Sequence, residues 1–112
     1  MALNTKNRLK KKRDFEDIFK KGRAVKGSFL FIKYKKNKLD MPRFGFVVSA
    51  KVVGKAVERN KTRRIFSEAA RDMIKKGLGG YDVIVFVTHK INIMSPKEDV
   101  VKDFVGVFKK IQ

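Results

Sequence analysis

Apolar residues change period several times along the chain, and each change marks an element. Phe15, Ile18 and Phe19 take i, i+3, i+4 spacing between Lys12 and Lys21, which on a helix places them along one side, and Gly22 follows as a stop. At about three turns such a helix cannot stand alone, so its aromatic stripe must rest on a sheet or border a groove. There is room for a short strand at Ala24 to Lys26. From Ser28 to Lys36 the period becomes two: Leu30, Ile32 and Tyr34 form one set, while Phe29, Phe31, Lys33 and Lys35 form the other. Of the first set, Leu30 and Ile32 belong under helices; the second suits a face part covered and part offered to a ligand. The polar stretch KNKLDMP turns the chain, and Arg43 to Ala50 returns as a strand with Phe44, Phe46 and Val48 on one face. The two strands are expected to form an antiparallel pair.

A helical period then reappears. Ile65, Phe66, Ala69, Ala70, Met73 and Ile74 recur as doublets four residues apart, with Asn60, Lys61, Arg64, Arg71 and Lys75 on the opposite arc. Carried backwards, the same wheel puts Val57 on the polar side, which predicts a helix start near Arg59 after a loop at Gly54. Beyond it, LGGY breaks the helix and DVIVFVT, Asp82 to Thr88, is the continuous apolar run of a central buried strand. Ser95, Pro96 and Glu98 supply an N-cap, an N1 proline and the glutamate of a capping box. Val101, Phe104, Val105, Phe108 and Ile111 form the buried stripe of the helix that follows, with the sheet as its partner. The order is helix, two or three strands, helix, strand, helix: an α+β domain with a small mixed sheet.

The length of 112 residues suits a single domain, 1–112, with one modest core. Residues 1–11 are basic and without periodicity, and are expected to form a mobile lead-in. Hydrophobic residues make up 43% of the chain and include ten Phe, so it is no disordered polycation despite its 36% of charged residues. Lys and Arg number 29 against 11 acids, a net +18, which exceeds what solubility needs and recruits polyanions. Nucleic acid is the expected partner; a membrane surface is disfavoured, since no segment joins a long apolar face to basic flanks. Without cysteine, disulfides and thiolate zinc sites drop out. The amino terminus has no apolar core of a signal peptide, and the expected location is the cytoplasm.

Charge is densest where the second long helix is predicted to begin. Arg59, Lys61, Arg63 and Arg64 would load its first turn, where the helix dipole prefers acids, and an anion would offset the conflict. A phosphate backbone does so through free helix N–H groups and arginine forks. The plain alternative is a solvated basic helix.

RNKTRR followed by SEAAR resembles the R-N-R-x-x-R signature of the bacterial ribonuclease P protein component. RLKKKRDFEDIFKKG is similar to that family's amino-terminal helix, and RFGFVVSAK to its central strand, so the resemblance spans most of the chain. Lys61 stands where the signature has its second arginine, keeping charge but losing the bidentate fork, and Ser67 stands where the family often has another basic residue. The resemblance implies a mixed four-stranded sheet with a left-handed crossover around the basic helix. It also implies a partner, the catalytic RNA, met by Lys51, Lys55, Arg59, Asn60, Lys61, Arg63, Arg64 and Arg71. A cleft for the single-stranded 5′ leader of precursor tRNA is implied too, with Lys11, Phe15, Phe19, Phe31 and Lys33 as its candidates. From periodicity alone Phe15 and Phe19 read as core; beside a basic helix they also suit bases, which stack on rings without demanding a sequence.

In that family Mg²⁺-dependent hydrolysis belongs to the RNA subunit, and one protein is expected per RNA. The chain itself shows no catalytic constellation and no expected cofactor. His89 is the only histidine and reads as an end-of-strand residue. Asp14, Glu16 and Asp17 do not share one helix face, and acids in a first turn are ordinary dipole partners. A ribosomal or RNA-chaperone-type domain of related fold is the alternative reading, and a protein-only nuclease a more distant one.

Overall fold

The computed structural model describes residues 5–27, 30–51, 54–77, 79–87 and 97–110. Ser28, Phe29, Thr88, His89, Ser95, Pro96 and Ile111 lie outside them, and with them the expected helix cap; for Glu98 and Val101 only the backbone is described.

Four strands form one mixed sheet in the order β1-β2-β4-β3. Strand β4 (Tyr81–Val87) is its centre, antiparallel to β2 (Leu30–Lys36) and parallel to β3 (Arg43–Val47), while β1 (Arg23–Lys26) pairs antiparallel with the outer edge of β2. The most continuous apolar run takes the position that buries both faces of a strand, and Val83, Ile84 and Val85 are fully buried. That placement corrects the expected pairing. β2 and β3 do run in opposite senses, but β4 lies between them, because the 37–42 turn is long enough to step over one strand. The parallel β3–β4 neighbours in turn need a crossover, which α2 (Ala56–Lys75) provides.

On one face of the sheet, α2 and α3 (Lys97–Lys109) cover Leu30, Ile32, Phe44, Val83 and Val85. The predicted doublets deliver Phe66, Ala69, Ala70 and Met73 to this core, with Ile65 and Ile74 at its margin. From α3 come Phe104, Phe108 and the unforeseen Val107. Phe104 lies 5.5 Å from Phe66 and 4.7 Å from Phe108, which meets Phe44 edge-on at 5.7 Å. Each such ring contributes about 1.5–3 kcal/mol through burial.

Helix α2 begins at Ala56 rather than near Arg59. Val57 stays 67% exposed. A lone apolar side chain in water is commonplace, and the extra turn adds backbone hydrogen bonds such as Arg59 N–H to the Lys55 carbonyl at 3.0 Å. The cations therefore start one turn deeper than expected, with Glu58 in the first turn, and the conflict with the helix dipole is milder.

On the other face a single short helix, α1 (Lys12–Lys21), lays Ile18 against Ile84. Gly22 ends it as predicted: its N–H reaches the Ile18 carbonyl at 2.7 Å, and a side chain there would collide with that carbonyl. Part of the lead-in lies against β3, with Asn7 donating to the Pro42 carbonyl at 2.9 Å, Leu9 N–H donating to the Phe44 carbonyl at 2.9 Å, and Leu9 buried beside Ile18. One apolar residue and one amide in a polar run suffice to anchor it along the strand edge.

Candidate nucleic-acid interface

Strand alternation creates the first surface. Phe31 and Lys33 of β2 point away from the main core, as does Phe86 of β4, and Phe31 and Phe86 are register partners. Their rings stack at 4.5 Å, nearly parallel. Phe19 of α1 tilts over Phe86 at 5.4 Å while remaining 45% exposed. The Lys33 ammonium lies 5.2 Å from the centre of the Phe19 ring and donates to the Phe19 carbonyl at 3.4 Å. Phe19, Phe31 and Lys33 are thus brought together, as the sequence suggested. Lys11 stands apart from them, an exposed side chain at the N-cap position of α1.

Phe15 faces elsewhere. Four residues before Phe19, it lies over Gly45 of β3 and lines a groove of about 430 Å³ between the lead-in, α1 and α2. Arg8, Phe46, Asn60, Arg63, Arg64 and Ser67 share that groove. The guanidinium of Arg63 is turned by a 3.0 Å hydrogen bond to the Asn60 side chain, and Arg64 is exposed. The aromatic and basic surfaces, treated as separate in the sequence, meet at Phe15.

The remaining candidates scatter around this groove. Arg59 donates to the Gly54 carbonyl at 2.9 Å, which ties α2 to the loop before it. Lys51, Lys55 and Lys61 are exposed at or near that end. Arg71 is not part of the cluster: it borders another depression with Glu68, Asp72 and Lys75, a patch of mixed sign.

The acids of α1 have cations of their own. Asp17 pairs with Lys35 and lies 3.6 Å from Lys21, so the Lys35 hydrogen bond, against an opposing desolvation, holds its carboxyl below the usual carboxylate range. Glu16 is 3.9 Å from Lys12. Asp14 approaches Arg43 at 3.6 Å, and Arg43 forks onto buried Asp82 with bonds of 2.8 and 2.6 Å. Asn37 adds a 2.9 Å bond to the same carboxylate. The Asp82 hydrogen bonds push the Arg43 guanidinium further toward its charged form. This network fixes the start of α1 to β3 and β4.

Several of these residues escaped the sequence reading. Phe86 was hidden in an apolar run whose two faces cannot be told apart by period. Gly45 had a signal, an isolated glycine within a strand, which marks close approach by something else. Arg8 belongs to a charge run with no pattern to single it out, and Arg43 is a lone cation at the start of a strand whose partner, Asp82, lies 39 residues away.

Fold and charge together place the chain in the class of small basic α+β proteins that bind nucleic acid, and among the described residues no helix is long and apolar enough to cross a membrane. The family model named Ribonuclease P matches residues 3–112. The ribonuclease P protein component of Fusobacterium nucleatum is 42% identical over 106 residues, covering 92% of this chain and 95% of that protein. Its counterpart from Clostridioides difficile is 37% identical across 98% and 96%. The solved structure of the RNase P protein from Thermotoga maritima superposes with a TM-score of 0.85 at 30% identity, over 94% of this chain and 97% of that one; the Staphylococcus aureus protein gives 0.83 at 31%, over 95% of each. The chain belongs to the ribonuclease P protein family. It is accordingly a protein component of an endoribonuclease that works with an RNA subunit in tRNA 5′ processing, and the ribosomal or chaperone reading is not favoured.

Proposed function

We propose that the chain holds the single-stranded 5′ leader of precursor tRNA on the open face of its sheet and meets the catalytic RNA chiefly through the start of α2. The observation that carries this reading is the ring assembly of Phe19, Phe31 and Phe86 under the Lys33 ammonium. Half-covered rings accept bases by stacking, and the neighbouring cations accept phosphates without reading sequence. Phe15 and Lys11 extend this surface toward α2. Asn60, Arg63 and Arg64, with Arg59, Lys61, Lys51 and Lys55, present the positive edge to the catalytic RNA, one protein to each RNA, in the cytoplasm.

Mg²⁺ belongs to the ribonucleoprotein, with hydrolysis performed by its RNA. The acids of α1 are engaged with Arg43, Lys35, Lys21 and Lys12, and the protein's part is to bring two polyanions together. The test is a reconstitution: precursor tRNA and Mg²⁺ with the protein alone, the catalytic RNA alone, and both. Cutting at the leader junction is expected with both, at less Mg²⁺ than the RNA alone needs, and none with the protein alone. Cleavage by RNA-free protein would overturn the assignment.

A further inference from the structure

Gly45 sits in the middle of β3 between Phe44 and Phe46, paired with Ile84 of β4, on the sheet face that α1 covers. Its backbone is ordinary for a strand, since the one positive φ among the described residues is at Gly77. Conformation therefore does not call for glycine here; space does. A Cβ built at Gly45 would lie 2.6 Å from Cζ and 2.7 Å from Cε1 of Phe15, with Leu9 Cβ at 3.5 Å beside it. The ring rests on bare backbone.

We propose that Gly45 is a positioning residue for the leader: by lacking a side chain it lets the Phe15 ring lie down on β3, with its free side toward the groove lined by Arg63 and Arg64. This rests on the reading of Phe15 as a leader contact. An alanine methyl would have to reach ordinary carbon contact, about 3.5–4.0 Å, so the ring tip would move by about 1 Å. The helix cannot yield instead. Ile18 is 1% exposed against the sheet, Asp14 is held by Arg43, and Leu9 is tied to the Phe44 carbonyl. The displacement falls on the ring, the flexible partner, and carries it into the groove. A shift of that size at a contact surface is enough to disturb a strand seated there. The fold, meanwhile, loses little, because a glycine in a strand interior is itself unfavourable and alanine restores some backbone entropy.

The experiment compares wild type, G45A, F15L and the double variant, each bound to the catalytic RNA, for affinity toward precursor tRNA and toward mature tRNA lacking a leader. F15L removes the ring tip that the methyl would strike. Expected is a loss of roughly fivefold or more in precursor affinity for G45A and for F15L, little change for mature tRNA, and a double variant no weaker than the weaker single. Losses that multiply in the double variant, or a G45A that keeps full precursor affinity while F15L loses it, overturn the inference and leave the leader reading standing. An F15L without effect removes Phe15 from the leader surface and the inference with it. Should G45A unfold, the double variant is expected to fold and to bind as F15L does; a double variant that also stays unfolded overturns the seating of the ring.

Discussion

One sheet has two faces here, and they have opposite fates. The face toward α2 and α3 is sealed: Leu30, Ile32, Phe44, Val83 and Val85 meet rings from both helices and no water. The face toward α1 is covered by ten residues of helix and an anchored lead-in, which bury Ile84 but leave Phe31, Phe86 and Phe19 only partly sheltered. Both faces are made from alternate positions of the same strands. Fold and function are thus separated by a single residue of spacing, and a slip of register by one would exchange them.

The sharpest way to break this comparison is to mutate neighbours in β2. Ile32→Ala deletes a fully buried side chain on the sealed face, and a loss of about 2–5 kcal/mol is expected in denaturant unfolding, with binding retained by whatever fraction stays folded. A loss below about 1 kcal/mol would mean that the sealed face is loosely packed.

The next effect is on the other side of the same strand. Phe31→Leu keeps most of the volume and should cost under about 1.5 kcal/mol of stability. It removes the partner stacked on Phe86, so precursor tRNA held by the reconstituted complex should weaken by about 1–3 kcal/mol while mature tRNA changes little. Equal weakening for both tRNAs would return Phe31 to a structural role.

The sealed face was legible in the sequence because burial imposes period. Doublets in α2 and alternation in β2 each have one geometric solution, and their residues arrive where the pattern sends them. The open face was half legible. Phe19, Phe31 and Lys33 could be grouped by alternation and by resemblance, whereas Phe86 could not, since a strand buried on both faces carries no alternation. Strand order was legible only in part: the apolar run marked β4 as a central strand, but β2 and β3 were expected to pair directly, and no local pattern says that β4 enters between them. The helix start was misplaced because a wheel treats exposed Val57 as forbidden, when a single exposed valine costs little. The groove at Phe15 depended on a long-range meeting of lead-in, α1 and α2 that no local pattern encodes.

The smallest expected effect concerns how α1 is held over the open face at its edge. Lys35 lies on the same side of β2 as Phe31 and Lys33, but Asp17 claims it, which ties the middle of α1 to the strand. The hydrogen bond from Lys35 lowers the Asp17 pKa below its unfolded value, so the folded state binds this proton less readily than the unfolded chain does. The stabilisation is therefore fully present above the usual carboxylate range and is lost as pH falls through the lowered value. Asp17→Asn removes the ionisable group and with it that dependence. The gap between wild type and variant in unfolding midpoint should be constant from about pH 7 down to about pH 5 and should close below about pH 4. Because the pair is solvent-exposed, the gap should also shrink in high salt. A gap that persists unchanged at pH 2 would assign the effect of Asp17 to its shape and hydrogen bonding rather than to its charge.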